Sequence, residues 1–173
     1  QPESSAASDV YKRQAELAMN IVKDKRVTAL GLYVEGLGSI RNFETLVSLC
    51  DRLGKAIVII KIGKSEHAKV SAVSHTASLA GSDKGAAALI KRLGVARVES
   101  LSEFIETLKI FHCHGRLSGP SVASVSCSGG EASLIADISN AKPISFPKLT
   151  KTQKEDLKIA LGAKVALANP LDY

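Results

Sequence analysis

Ala56-Ile57-Val58-Ile59-Ile60-Lys61-Ile62-Gly63-Lys64-Ser65-Glu66 runs from an apolar tract into a charged turn, and after a short spacer comes Ser74-His75-Thr76-Ala77-Ser78-Leu79-Ala80-Gly81-Ser82-Asp83. The tract from Ala56 to Ile62 has the length of a buried strand and lacks the alternation of a half-exposed one. A strand that is apolar on both faces belongs in a parallel sheet covered by helices on either side. The second tract sets one imidazole, His75, among small hydroxyl-bearing residues in a loop ended by glycine. That composition suits an imidazole that must move and meet a phosphate.

The neighbouring segments repeat the alternation. Helical spacing over Ala15 to Lys23 puts Leu17, Ile21 and Val22 on one face. Val27 to Glu35 reads as a strand ended by Gly36. Asn42 to Leu53 reads as a helix with Phe43, Leu46, Val47, Cys50 and Leu53 inward and Gly54 at its end. Ser82 or Asp83 caps a helix that Gly94 stops, Val95 to Val98 is a short strand, and Ser102 caps a helix through about Phe111. Strand alternating with helix implies a parallel sheet with right-handed crossovers. Sites in such sheets lie at the carboxyl ends of the strands, where Glu35 and the His75 loop would share an edge.

His112 to Pro120, rich in Gly, Ser and Pro, breaks the pattern. Beyond it Val122 to Ser126 is a strand and Gly129-Gly130 a tight turn. Glu131 to Ile138 is a helix with Leu134, Ile135 and Ile138 inward. Lys142 to Phe146 is extended, Thr150 caps a helix to Leu161, and Val165 to Leu167 is a short strand. The expected fold is therefore α/β with two flavodoxin-like or Rossmann-like parallel-sheet lobes, both incomplete. The divisions are a tail at 1–13, disordered or foreign to the domain, a lobe at 14–111, a linker at 112–120, and the start of a second lobe at 121–173. The run Ser5 to Gln14 resembles translated adapter sequence.

Composition narrows the class. The chain has 173 residues, 45% hydrophobic and 23% charged, as in globular proteins. No run is long enough to cross a bilayer. Its three cysteines, Cys50, Cys113 and Cys127, are too few and too widely spaced for a disulfide framework, which points to a reducing compartment such as the cytoplasm. Net charge is +6 and the pI about 9.3, but the cations are scattered. Only 4% of residues are aromatic, so stacking platforms for nucleic acid are scarce.

The chemistry concentrates in three places. His75 is either a loop histidine bonded to a backbone carbonyl or a nucleophile towards phosphorus, since neutral imidazole keeps one free lone pair. Ser74 and Thr76 beside it offer hydroxyl donors, and Gly81 permits close backbone approach. Glu35 is either a solvent-facing strand end or a partner that accepts the imidazole N–H and favours the cationic ring. Ser126-Cys127-Ser128-Gly129-Gly130-Glu131 runs from a strand through glycines into a helix, so backbone N–H groups and the helix dipole favour an anion there. It lacks the lysine of a P-loop. Cys127 reads as a packed thiol rather than a nucleophile. His112 and His114 have no second ligand pair at usable spacing, so no metal site is assigned.

Together these residues resemble the NDP-forming acyl-CoA synthetases, relatives of succinyl-CoA synthetase. The likeness rests on Tyr33-Val34-Glu35-Gly36, Lys61-Ile62-Gly63-Lys64-Ser65-Glu66, Ser74 to Asp83, Ser128-Gly129-Gly130 with Ala136-Asp137, and Asn169-Pro170-Leu171-Asp172, in the family's order. Ala77 departs from it, standing where the family commonly has glycine. The resemblance implies a reversible ligation of a carboxylic acid to coenzyme A while ATP becomes ADP and phosphate. It implies that His75 carries the phosphoryl group, that Glu35 steadies the ring, and that the helix opening at Gly129-Gly130 holds the phosphate. It further implies a CoA-binding Rossmann lobe, an ATP-grasp lobe that brings Mg2+, and an assembly that could be oligomeric. None of ATP, CoA or Mg2+ would be firmly held by these residues alone. The competing expectations are a non-catalytic CoA-ligase-like region of a protein acyltransferase and a generic flavodoxin-like binding module.

Overall fold

The computed structural model describes residues 14–65, 82–140 and 142–173, which fall into two compact units, one ending at Arg116 and the other running from Leu117 to Tyr173. The expected tail at 1–13 lies outside the described residues.

The first unit is built on strands β1 (Ala29–Val34), β2 (Ala56–Lys61) and β3 (Ala96–Val98), all parallel, in the order β1-β2-β3. The pairing sets Leu30 beside Ile57, Leu32 beside Ile59, and Ile59 in turn beside Arg97. Side chains alternate between the two faces of a strand. One face of the sheet therefore carries Leu30, Val34, Ile57 and Ile59. It packs against the helix of residues 14–21 (α1), against α2 (Ile40–Arg52), and against α3 (Asp83–Arg92) through Ile90. Phe43, Leu46, Val47 and Cys50 of α2 join this core. β2 is buried along its whole length, as its unbroken apolar run predicts.

The opposite face meets α4 (Leu101–His114). A Cβ at Gly31 would come within 2.6 Å of Phe104 Cζ and 2.9 Å of Leu108 Cδ1. Glycine at that position lets α4 approach β1 closely. α2 is capped by Ser39, which accepts from the Asn42 N–H, and is closed by Gly54 at φ 66°.

Four details differ from the sequence reading. In α1 the buried side chain is Ala18, continued by Val22, whereas Leu17 and Ile21 border an open apolar cleft beside β1. Leu53, expected inward, is 43% exposed, because α2 has already ended and the chain turns out towards Gly54. The cap of α4 is Ser100, not Ser102. Ser100 has extended backbone and exchanges hydrogen bonds with Glu103 in a reciprocal box. This helix runs on through His114, past the point where a linker was expected. His112 Nδ1 shares a 2.7 Å hydrogen bond with Thr28 Oγ1, which fastens the helix end to the segment leading into β1.

The second unit has a two-stranded parallel sheet, β4 (Val125–Ser126) with β5 (Leu171–Asp172). It also holds helices α5 (Gly129–Ser139) and α6 (Lys151–Leu161). Thr150 and Gln153 form a capping box at α6. Asn169 staples the unit: its Oδ1 accepts from the Ser124 N–H, and its Nδ2 donates to the carbonyls of Val122 and Pro147. The expected strand at Val165 to Leu167 is irregular, and the strand falls at Leu171–Asp172 instead. The extended segment Lys142 to Phe146 contributes one bridge, Ser145 with Ser121. Leu134 and Ile138, expected inward, are 58% and 57% exposed, because two strands of two residues cannot cover an eleven-residue helix.

Candidate functional site

The carboxyl ends of the first three strands carry the candidate residues of the first unit that the structure describes. Glu35 follows β1 directly and is half-buried; the Ile62 N–H bonds to the Val34 carbonyl beside it at 2.9 Å, which holds this end of β1 against β2. His75, Ser74 and Thr76 lie outside the described residues, so the pairing of His75 with Glu35 is an expectation from sequence.

A charged network occupies the same ends of β2 and β3. Lys61 closes β2 on the face that carries Ile57 and Ile59, and its side chain is 1% exposed. Arg97, level with Ile59, projects from the same face. Both meet Asp83, the first residue of α3. Arg97 Nη2 donates to Asp83 Oδ1 and Oδ2, each at 3.0 Å, and Lys61 Nζ stands 3.8 Å from Oδ1. Arg97 Nε donates to Glu99 at 3.2 Å, and Glu99 also pairs with Lys64. Burial pushes the Asp83 carboxyl up, but the Arg97 hydrogen bonds and the charges of Arg97, Lys61 and Lys64 outweigh it. They hold the carboxyl below the ordinary aspartate range. Sequence reasoning placed Lys61 and Asp83 within motifs; it gave Lys61 no role and offered Asp83 only as an alternative to Ser82 for the helix cap, which Ser82 supplies by accepting from the Gly85 N–H. The available signal was a lysine ending an otherwise apolar strand, which needs a buried partner.

In the second unit Ser128 is the N-cap of α5, with extended backbone and no side-chain cap hydrogen bond. Gly129 and Gly130, read from sequence as a turn before the helix, are its first two residues. A Cβ at Gly129 would lie 3.1 Å from Asp172 Oδ2, so glycine there admits the carboxylate against the helix terminus. The register that pairs Ser126 with Asp172 delivers that carboxylate. An anion at this terminus would share it with Asp172, a neighbour that the sequence reading did not place there.

Cys50 is buried and Cys113 exposed; Cys127, expected to be packed, is exposed as well, and all three are free thiols. Burial raises the Cys50 thiol, with Asp51 adding to the effect. Among the described residues no group of three or more His, Cys, Asp or Glu is placed to hold a metal ion. No helix among them is long and apolar enough to cross a membrane.

Residues 8–111 match the model of the succinyl-CoA ligase like flavodoxin domain. The chain belongs to that family. Its three parallel strands flanked by helices are the flavodoxin-like core. The acetate–CoA ligase [ADP-forming] of Methanocaldococcus jannaschii is 28% identical over 160 residues, covering 92% of this chain and 22% of that protein. The acetate–CoA ligase [ADP-forming] II subunit alpha of Pyrococcus furiosus is 30% identical over 158 residues, covering 91% of this chain and 34% of the subunit. The chain thus spans about a third or less of the length of these curated relatives. Among solved structures, the dinucleotide forming acetyl-coenzyme A synthetase 1 of Ca. Korarchaeum cryptofilum, in complex with phosphate and ADP, superposes with a TM-score of 0.77. It is 24% identical, with 92% of this chain and 34% of that chain covered. That likeness extends the shared fold over both units.

Proposed function

We propose that this chain is the phosphohistidine-bearing part of an ADP-forming acid–CoA ligase. The observation that carries the reading is the family match over residues 8–111, a span that contains both Glu35 and His75. In the proposed reaction an imidazole nitrogen of His75 attacks the γ-phosphorus of ATP. The N–P bond forms as the bond to the ADP oxygen breaks. A carboxylate oxygen of the acid then attacks the same phosphorus and frees the histidine. The CoA thiolate attacks the resulting acyl phosphate at carbon, and inorganic phosphate leaves.

In this reading Glu35 accepts the ring N–H and favours the cationic phosphorylated imidazole. Ser74 and Thr76 offer hydroxyl donors to the phosphoryl oxygens. Ser128, Gly129 and Gly130 offer the N–H groups at the opening of α5. In this reading Mg2+ enters with the nucleotide through the ATP-grasp lobe. The proposed partners are a CoA-binding Rossmann lobe and an ATP-grasp lobe, in the same or separate chains, and the proposed compartment is the cytoplasm. The test is an intact enzyme given γ-labelled ATP. Acid-labile label is expected on His75, and His75→Asn should abolish both label and ligation while the circular dichroism spectrum is unchanged. Full ligase turnover by His75→Asn would sink the reading.

A further inference from the structure

We propose that Asp83 is a positioning residue: held between Lys61 and Arg97, it ties together the two stems from which the His75-bearing segment departs and to which it returns. The inference rests on the phosphohistidine reading above for its functional part, and on the described residues for its structural part. Lys61 and Lys64 lie on the outgoing side, at and just beyond the end of β2, and Asp83 opens α3 on the returning side. Among the described residues no backbone ladder joins these two stretches. Arg97 and Glu99 of the β3 side bridge them instead, Arg97 to Asp83 and Glu99 to Lys64.

The energetics favour a role in geometry over one in bulk stability. A partly desolvated ion network is seldom more stabilising than an apolar cluster of the same volume, but it admits few alternative arrangements. Here the chain accepts a further cost, because Arg97 Nη1 is buried with no hydrogen-bond partner among the described residues. Both oxygens of Asp83 are engaged by one planar guanidinium nitrogen, a contact that a neutral amide could make with only one acceptor atom. Phosphoryl transfer depends on placing the nucleophile to within a fraction of an ångström, so the stems of its segment must be held at a set separation.

The test uses the intact enzyme with Asp83→Asn and Asp83→Glu. Three quantities are measured: amide hydrogen exchange over 61–65 and 82–86, the single-turnover rate of His75 phosphorylation, and KM for ATP. Asp83→Asn should speed exchange in both stems. It should lower the phosphorylation rate about ten- to a hundred-fold, with KM for ATP changed less than about two-fold, and Asp83→Glu should recover part of the rate. If Asp83→Asn does not fold, Arg97→Lys, whose single nitrogen cannot reach Asp83 and Glu99 together as Arg97 Nη2 and Nε do, carries the same measurements. Unchanged stem exchange, or a normal phosphorylation rate per folded molecule, overturns the proposal. If the wild-type enzyme shows no phosphohistidine, the phosphohistidine reading fails. Exchange in the two stems then decides the tie on its own: faster in Asp83→Asn upholds it, unchanged overturns it.

Discussion

Asp83 shows what one side chain contributes when three elements converge on it. Its carboxyl is held below the ordinary aspartate range in the folded chain. The unfolded value is about 3.9. The linkage sign follows: the stabilisation is fully present above that unfolded value and is lost as pH falls from it through the folded value. In urea titrations at fixed pH, the wild-type chain should therefore lose more stability than Asp83→Asn as pH is taken from about 5 to about 2.5. Near neutral pH the substitution should cost about 1–2 kcal/mol, reduced from the fully buried case because the carboxyl is partly open to solvent. Parallel pH profiles for the two proteins would contradict the assignment. Glu35 was legible as a candidate because a carboxylate ends an apolar strand. The partners of Asp83 were not legible, because Lys61 and Arg97 reach it only through strand register.

Helix ends separate what is local from what is not. Ser39, Ser82 and Thr150 cap their helices as serines and threonines before apolar periodicity should, since each acts on an N–H three residues away. At α4 two serines compete for the role, and the pair of reciprocal bonds with Glu103 selects Ser100. Ser100→Ala should lower stability by about 1 kcal/mol, and Ser102→Ala should change it by less than about 0.5 kcal/mol. Thermal or denaturant unfolding of the two variants checks the assignment, and equal losses would count against it. The faces of the helices were read less well than their ends. Leu17 and Ile21 are the more apolar pair in α1, yet Ala18 is the side chain buried there, and the larger two border the open cleft beside β1.

At the scale of the molecule, the first unit has a continuous core and the second leaves much of its apolar surface exposed. Val125, Leu134, Ile138 and Ile159 are 65%, 58%, 57% and 85% exposed. The chain spans about a third or less of these curated relatives, and the proposed reaction needs sites for ATP and CoA beyond the phosphohistidine segment. The 173 residues by themselves should therefore form no acyl-CoA from acetate, CoA and ATP in a coupled assay for ADP release. Sustained turnover by this chain alone would contradict the division of labour proposed here.

The alternation of strands and helices, the capping serines and threonines, the family motifs and the central buried strand were all decided by the sequence. Each depends on groups within a few residues of one another or on an unbroken run of one chemical kind. Tertiary structure alone decided that Arg97 meets Asp83 over buried Lys61, that Asp172 lies against Gly129, and that the last strand is Leu171–Asp172. Those contacts join residues far apart in the chain, and their pairing follows from strand register and from which helix covers which face.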